Sequence, residues 1–187
     1  MPILARELDM FPEDLLERPN LGQEGDRRWW AMYTKSRHEK ELMRRLRGLN
    51  IAFYTPLIAR SQRSPAGRTR TTYVPLFAGY VFMYGGADDR YRALTTNCVS
   101  RWLLAPDGVE LTQDLRHMHR LVESGAPLTP EARLERGTRV RVRSGPLAGI
   151  DGIIIKRQGS TRLHVAVNFL QQGASLVIED HDVERCD

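Results

Sequence analysis

Cysteine and long apolar runs are both scarce in this sequence. Its 187 residues include two cysteines, Cys98 and Cys186, which form no C-x-x-C motif. This argues against a structural zinc site and suits a reducing compartment. No stretch approaches the roughly 18 apolar residues of a membrane-spanning helix, and the N-terminus lacks the basic start and apolar centre of a signal peptide. We therefore expect a cytoplasmic protein without a membrane segment or a bound metal ion.

Motifs of catalysis are missing as well. The sequence contains no nucleophile elbow, phosphate-binding loop or metal-ligand cluster. His117 and His119 are two positions apart on an expected helix, so they point to different faces. His164 lies in an expected strand without a Cys or carboxylate at ligand spacing. The sequence therefore favours a protein that is not an enzyme and needs no cofactor.

Charge is distributed unevenly along the chain. The net charge is +5, yet residues 1–26 carry two arginines and seven carboxylates, a net of −5, which leaves +10 on the remainder. Between Lys35 and Arg70 there are ten Lys or Arg residues and only two acids, Glu39 and Glu41. Such a surplus is typical of a surface that contacts nucleic acid, although a solvated basic face is equally compatible with it.

Composition and periodicity divide the chain into four parts. Residues 1–26 are acidic and contain Pro and Gly, which predicts a mostly mobile tail. Residues 27–124 have the pattern β-α-β-β-α-β-α and predict an α/β sandwich. Residues 125–136 contain two prolines and mixed charge, as expected of a linker. Residues 137–187 alternate short strands with turns and predict a small closed antiparallel β-barrel. The predicted fold class is α+β.

The first predicted helix combines an apolar face with a basic one. Ser36 and Glu39 have the S-x-x-E spacing of a capping box, so the helix is expected to start there and to run to about Gly48. Apolar residues at helical spacing predict its core-facing side, and these are Leu42, Met43, Leu46 and Leu49. A second stripe beside them is basic and consists of Arg37, Lys40, Arg44 and Arg47.

A glycine-spaced turn interrupts the strand pattern of the last part of the chain. The stretch RVRSGPLAGIDGIII contains an expected turn whose defining residues are Gly145, Pro146, Gly149 and Gly152. Glycine permits the positive φ angles and tight bends that a small barrel needs between its first two strands. We therefore expect two strands joined by this turn.

Three motifs resemble those of the NusG family. GTRVRVRSGPLAGIDGIII resembles a KOW motif, PLFAGYVF resembles the P-L-F-P-G-Y-V-F signature of the NusG N-terminal domain, and RWWAMYTKSRHEK resembles the opening of that domain. They occur in the family's order. Ala78 replaces the usual proline, and Gln172 replaces an arginine of housekeeping NusG. Both departures favour a specialised paralogue of the RfaH kind, although the choice between the two kinds stays open.

The resemblance implies a transcription elongation factor that modulates pausing, termination or antitermination. Its N-terminal domain would bind the clamp of the β′ subunit of bacterial RNA polymerase and would contact non-template DNA or nascent RNA. Its KOW domain would recruit a second factor, ribosomal protein S10 or, less in keeping with Gln172, the termination factor Rho. The protein is expected to be a monomer. The alternative is a ribosome- or RNA-binding KOW protein that does not act on polymerase.

The resemblance also implies three sets of binding residues. The polymerase-binding residues are Tyr33, Phe77, Tyr80 and Phe82. The nucleic-acid-binding residues are Lys35, Arg37, His38, Lys40, Arg44 and Arg47. In the KOW domain, the loop NFLQQG would bind the partner through Phe169 and Leu170.

Overall fold

The computed structural model describes residues 7–23, 25–63, 67, 69–134, 136–157, 159–178 and 183–186. This described part of the chain is a mixed α/β structure dominated by strands, with three α-helices. It divides into two compact units, Met1–Val109 and Glu110–Asp187. None of the helices in the described ranges is long and apolar enough to cross a membrane.

The first unit contains an antiparallel sheet, a separate two-stranded hairpin and two helices. In chain order, its elements are β1 (Met10–Phe11), a 3-10 helix (Leu15–Glu17), β2 (Arg28–Thr34), α1 (Glu39–Gly48), β3 (Ala52–Tyr54), β4 (Leu57–Arg63), β5 (Thr69–Pro75), β6 (Tyr80–Gly85), α2 (Ala87–Thr95) and β7 (Val99–Leu104). The sheet has the strand order β1-β3-β6-β2-β7, and β4 pairs with β5 to form the hairpin.

The pairing of β2 with β6 sorts their side chains onto two faces. On one face, Trp29, Ala31 and Tyr33 lie opposite Tyr84, Phe82 and Tyr80. On the other face, β2 and β6 contribute to a buried apolar cluster together with α1. Its residues on these three elements are Trp30, Met32, Val81, Met83, Leu42, Met43 and Leu46. The predicted apolar side of α1 is therefore confirmed.

Helix α1 begins later than the sequence predicts. Its N-cap is His38, which makes no side-chain capping bond. Arg37 has a φ of 63°, so the chain turns sharply before the helix starts. The carboxylate of Glu39 accepts a hydrogen bond from the amide of Gly79 at 2.8 Å. The predicted capping box between Ser36 and Glu39 is therefore wrong, because Glu39 holds a distant loop in place.

Residues 7–23 pack on the first unit, in contrast to the mobile tail that was predicted for residues 1–26. Strand β1 pairs with β3. Four apolar side chains of this segment are buried: Met10, Leu15, Leu16 and Leu21. The prediction was based on the acidic residues and prolines of the segment. Burial of its apolar side chains provides the free energy that orders it. Residues 1–6 and 24 lie outside the described ranges.

The second unit contains a six-stranded antiparallel sheet and helix α3 (Gly108–Glu123), which starts at the boundary between the units. The strands are β8 (Thr129–Glu131), β9 (Thr138–Val142), β10 (Asp151–Arg157), β11 (Ser160–Val167), β12 (Gln172–Val177) and β13 (Val183–Arg185). Their order is β13-β9-β10-β11-β12-β8. Because β13 and β8 are the edges of this sheet, closure into a barrel stays a prediction.

Strand β8 lies inside residues 125–136, which the sequence predicts to be a linker. The guanidinium group of Arg162 donates a hydrogen bond to the hydroxyl of Thr129 at 2.7 Å. The hydroxyl of Ser175 donates to the buried carboxylate of Glu131 at 2.6 Å. Part of the predicted linker is thus tied to the sheet by polar contacts, which composition alone does not reveal. The division of the chain into the four predicted parts stays a prediction.

The glycine-spaced turn joins β9 to β10, as predicted. Gly145 and Gly149 have φ angles of 79° and 81°, which residues with a Cβ rarely adopt. Gly152 has a different reason to be glycine. A Cβ there would lie 2.7 Å from Cδ1 of Leu163 and 2.8 Å from the carbonyl oxygen of His164. The first two glycines therefore set the backbone direction, and the third allows β10 and β11 to approach each other closely.

Replacing Gly152 with Ala should destabilise the second unit. The new methyl group would overlap with backbone as well as side-chain atoms, so we expect a loss of about 1–3 kcal/mol in the free energy of unfolding. Denaturant unfolding measures this change. The control is Gly48→Ala at the end of α1, where a Cβ meets nothing within 4 Å and stability should stay equal or rise. An unchanged transition for Gly152→Ala would contradict the role given to close strand approach.

Candidate protein-docking and nucleic-acid surfaces

The four aromatic residues predicted to bind polymerase separate into two pairs. Tyr33 and Tyr80 lie opposite each other on β2 and β6, with ring centroids 5.1 Å apart in an edge-to-face arrangement. Both are partly exposed, and we call them the tyrosine pair. Phe77 and Phe82 also meet edge to face, at 6.1 Å, but are only 2% and 0% exposed. Only the tyrosine pair offers ring surface to a partner.

The burial of Phe77 and Phe82 changes the part that they can play. A partner cannot contact a ring that solvent does not reach, so the two phenylalanines act as packing beneath the surface. Phe82 lies two positions after Tyr80 on β6, and Ala31 opposite it lies two positions before Tyr33 on β2. The pair and its support therefore occupy one face of the same two strands. Polymerase binding by the four residues stays a prediction.

The loop before β6 holds the tyrosine pair in position. Gly79 has a φ of 83°, and a Cβ there would lie 3.0 Å from the Tyr33 ring. The Gly79 carbonyl accepts a hydrogen bond from the amide of Thr34 at 2.8 Å, while its amide donates to Glu39. The guanidinium group of Arg101 on β7 lies 4.6 Å from the centre of the Tyr33 ring, a cation–π distance.

Glu39 and Arg101 are supporting residues that sequence reasoning missed. Glu39 was interpreted as part of a capping box, and nothing in the local sequence links it to Gly79. Arg101 lies opposite Tyr33 in the pairing of β7 with β2. Arg101 could be identified from the sequence only if the pairing of β2 with β7 were known. These strands are far apart in the chain, and composition does not reveal how they pair.

The predicted nucleic-acid residues lie in the turn before α1 and along its surface. Lys40, Arg44 and Arg47 follow one helical stripe, and with Arg37 they form what we call the basic ridge. Lys35 donates a hydrogen bond from Nζ to the side-chain oxygen of Asn97 at 2.6 Å. Nδ1 of His38 lies 2.9 Å from the carbonyl oxygen of Ser36. The structure therefore brings the six residues into one region, and their binding of nucleic acid stays a prediction.

Carboxylates already neutralise part of this region. The guanidinium group of Arg44 contacts Glu7 at 2.6 Å and Glu41 at 3.2 Å, and the hydrogen bond with Glu7 is the main cause that raises the pKa of Arg44. Arg45 contacts Glu41 at 2.8 Å. In the described part of the chain, Lys40 and Arg47 form no ion pair. The unpaired positive charge is therefore smaller than the sequence suggests.

The predicted partner-binding residues of the second unit lie in a short 3-10 helix, Asn168–Leu170. Phe169 and Leu170 are both partly buried. The backbone amide of Asn168 donates a hydrogen bond to Asp114 at 2.9 Å, and its side-chain amide donates to Glu110 at 3.1 Å. Helix α3 therefore anchors the start of this loop, and the binding of a partner by Phe169 and Leu170 stays a prediction.

The same helix also contacts the glycine-spaced turn. The guanidinium group of Arg120 donates hydrogen bonds to the carbonyl oxygens of Pro146 and Ala148, at 3.0 Å and 2.7 Å. Charged donors make stronger hydrogen bonds to carbonyl groups than neutral donors do. One helix thus holds both of the loops that the sequence analysis singled out in this unit.

A family profile described as "Transcription termination factor nusG" matches residues 27–130. The chain belongs to the NusG family. This NusG-family protein is therefore a transcription factor. The family consists of transcription factors and not of enzymes. The match confirms the resemblance carried by the two N-terminal motifs. It ends before the KOW motif, so the KOW assignment still depends on the sequence pattern.

Two solved structures show a distant likeness to this NusG-family chain. One is described as "Domain interaction in Thermotoga maritima NusG"; it is 17% identical, covers 86% of this chain and 98% of that chain, and has a TM-score of 0.47. The other is described as "Crystal Structure of MjSpt4:Spt5 complex conformation B", with 12% identity, coverage of 85% and 97%, and a TM-score of 0.29. Both TM-scores are below 0.5, so neither adds to the assignment. No curated protein matches the sequence.

Removing the carboxylate of Glu7 should strengthen the binding of single-stranded DNA by the NusG-family protein. Glu7→Gln frees Arg44 from one of its two partners, so affinity should rise most at low salt, where screening is weakest. Fluorescence anisotropy across a salt series measures the change. The matched control is Glu17→Gln, which makes the same change in net charge at an exposed position. Equal gains for both variants would show that the contact between Glu7 and Arg44 does not restrict the basic ridge.

The carboxyl of Asp114 should make the stability of the second unit depend on pH. Burial raises its pKa to about 6, against a smaller lowering by the hydrogen bond from Asn168. Because this folded-state pKa exceeds the unfolded value of about 3.9, ionisation opposes folding, and stability should fall as pH rises from about 4 to about 6. Asp114→Asn should therefore gain stability relative to the wild type between about pH 4.5 and pH 7.

Asp151→Asn provides the control for this measurement. The hydrogen bond from Arg141 lowers the pKa of Asp151 below its usual value. Asp151 is therefore ionised throughout the interval in which Asp114 titrates, but it also interacts with His117, which titrates in the same interval. In a His117→Gln background, Asp151→Asn should change stability by the same amount at about pH 4.5 and about pH 7. Denaturant unfolding at the two pH values compares the variants. A pH-independent difference for Asp114→Asn would contradict the raised pKa.

Proposed function

We propose that this NusG-family protein is a transcription elongation factor that binds the clamp of the β′ subunit of bacterial RNA polymerase through Tyr33 and Tyr80, and thereby modulates pausing, termination or antitermination. The observation that supports this most directly is that the rings of Tyr33 and Tyr80 are partly exposed, whereas the other aromatic side chains of β2 and β6 are buried. Aromatic rings of this kind are the usual anchors of protein interfaces.

The surroundings of the tyrosine pair support its use as an anchor. The hydrogen bonds of Gly79 to Thr34 and Glu39 fix the backbone beside the rings, and Arg101 packs over one ring. A side chain that is already ordered loses less conformational freedom on binding. The phenylalanines Phe77 and Phe82 contribute indirectly, by packing beneath this surface.

The basic ridge would contact nucleic acid that passes the bound polymerase. Arg37, Lys40 and Arg47 form no ion pair among the described residues, so they are available to phosphate groups of non-template DNA or nascent RNA. Lys35 and His38 lie at the end of the ridge next to β2. Arg44 would join them when a phosphate replaces Glu7.

The second unit would recruit a further factor. We propose that its six strands close into an SH3-like KOW barrel and that Phe169 and Leu170 bind a protein partner such as ribosomal protein S10. Gln172 carries no positive charge, which makes Rho a weaker candidate. Gln172 and Ala78 also support a specialised, RfaH-like paralogue over a housekeeping factor.

Truncating the tyrosine pair should impair polymerase binding without unfolding the protein. Central aromatic anchors contribute about 2 kcal/mol or more to interface free energy. Tyr33→Ala combined with Tyr80→Ala should therefore lower the affinity for purified RNA polymerase by at least about thirtyfold. Biolayer interferometry measures this affinity, and circular dichroism checks the fold.

The matched control is Tyr91→Ala on α2, whose side chain is 68% exposed. This variant loses an exposed tyrosine at another position and should bind polymerase as the wild type does. If the folded double variant retains wild-type affinity, the proposed docking surface is wrong. If the wild type shows no affinity for polymerase at all, the RNA-binding KOW alternative is favoured.

A further inference from the structure

Strand β7 is an exposed edge of the five-stranded sheet. It pairs with β2 on one side, and no other strand in the described part of the chain pairs with its other side. Its last three residues, Trp102, Leu103 and Leu104, are 39%, 38% and 46% exposed. Large apolar side chains that are exposed next to one another mark surfaces that bind a partner. We call the open side of β7 the β7 edge.

The opposite edge of the sheet is protected against further strand pairing, whereas the β7 edge is not. Strand β1 at that opposite edge is only two residues long, and Pro12 follows it. Short edge strands and prolines are common devices that prevent the addition of another strand. Strand β7 has six residues and contains neither proline nor lysine. It therefore keeps the capacity to pair with a further strand.

The register of β7 shows which of its backbone groups face the open side. The amide of Ala105, next to the end of β7, donates a hydrogen bond to the carbonyl oxygen of Trp29 at 3.0 Å. In an antiparallel pair, residues that form such hydrogen bonds alternate with residues that do not. The backbone groups of Leu103 therefore also point to β2, whereas those of Trp102 and Leu104 point to the β7 edge. An added strand would bind these groups.

One arginine lies on each face of the sheet beside the β7 edge. Arg90 on α2 lies over the rings of Trp102 and Trp30, with its guanidinium carbon 4.4 Å and 5.3 Å from their centres. Arg101 lies over Tyr33 on the other face, because neighbouring side chains of a strand alternate. Neither arginine forms an ion pair with a described residue. The aromatic contacts position both guanidinium groups, and their charge is available to a carboxylate.

The charges beside the β7 edge favour an acidic partner over a second copy of the chain. Pairing of β7 with β7 of another copy would bring two Arg90 and two Arg101 side chains together around a two-fold axis, and like charges across strands are destabilising. Nucleic acid offers phosphates to the arginines but has no amide groups that continue the sheet. A polypeptide strand that carries carboxylates provides both kinds of contact.

We propose that the β7 edge binds an extended acidic segment of another protein, which adds to the sheet as an antiparallel strand. The segment carries apolar residues opposite Leu103 and Leu104. It carries carboxylates opposite Arg101 and Trp102, and these reach Arg101 and Arg90. Along the partner chain, two apolar residues are therefore followed by two acids. The site requires neither the tyrosine pair nor polymerase, so its failure leaves the proposed function unaffected.

The test uses the purified full chain and a synthetic peptide of sequence Thr-Val-Ile-Glu-Glu-Thr with blocked ends. Amide hydrogen exchange measured by NMR reports on the β7 edge directly. In the free protein, the amides of Trp102 and Leu104 should exchange faster than the amide of Leu103, which is bonded to β2. At about 1 mM peptide, a concentration that detects even weak association, the amides of Trp102 and Leu104 should exchange at least about fivefold more slowly.

Two controls separate the proposed contacts from unspecific attraction. A peptide with lysine in place of both glutamates should give no protection. Arg90→Gln combined with Arg101→Gln should weaken binding of the acidic peptide about fivefold or more at low salt, because two ion pairs are lost. Arg133→Gln combined with Arg143→Gln removes two exposed arginines of the second unit and should leave binding unchanged. Circular dichroism verifies that each variant is folded.

The proposal is overturned if the acidic peptide leaves the exchange of the Trp102 and Leu104 amides unchanged, or if the lysine peptide protects them equally. It is also overturned if the charge-matched control weakens binding as much as the variant of Arg90 and Arg101 does. Two further results would contradict it by identifying another occupant. Protection that appears without peptide as the protein concentration rises indicates a second copy, and equal protection by single-stranded DNA indicates nucleic acid.

Discussion

The antiparallel register between β2 and β6 is the constraint on which the first unit depends. Because side chains alternate along a strand, a shift of one residue would move every side chain of β2 to the opposite face. Trp30 and Met32 would then leave the cluster beneath α1. The register also places Tyr33 beside Tyr80. This buried cluster and the candidate docking surface are therefore fixed by the same set of pairings.

The loop before β6 stabilises this register at the end of the strand pair where β2 ends and β6 begins. Gly79 has no side chain, yet its backbone makes two hydrogen bonds. Its carbonyl group accepts one from the amide of Thr34, and its amide donates one to the carboxylate of Glu39. Its positive φ and its closeness to the Tyr33 ring both disfavour any other residue. The glycine thus couples the end of β2, the start of α1 and the tyrosine pair.

Patterns within one element could be predicted from the sequence, whereas contacts between distant elements could not. The apolar side of α1 and the turn between β9 and β10 depend on local sequence patterns and are confirmed. The roles of Glu39 and Arg101 depend on which strands and loops meet, and local periodicity does not determine this. The packing of residues 7–23 was not predicted, because the prediction was based on their acidic residues and not on their apolar residues.

The aromatic site shows the same limit. The motif PLFAGYVF carries the family resemblance, but its letters do not say which rings are exposed. Burial separates Phe77 and Phe82 from Tyr33 and Tyr80, and burial is a property of the whole sheet. Likewise, the count of basic residues around α1 overstated the available charge, because Glu7 approaches Arg44 from far along the chain.

The ordering of the tyrosine pair affects the thermodynamics of any association that uses it. Holding a mobile side chain at an interface costs about 0.5–1.5 kcal/mol of conformational entropy. For Tyr33, the contacts with Arg101, Gly79 and Tyr80 impose this cost when the first unit folds. Association would then be driven mainly by the release of water from the two rings, and its signature would be a negative change in heat capacity.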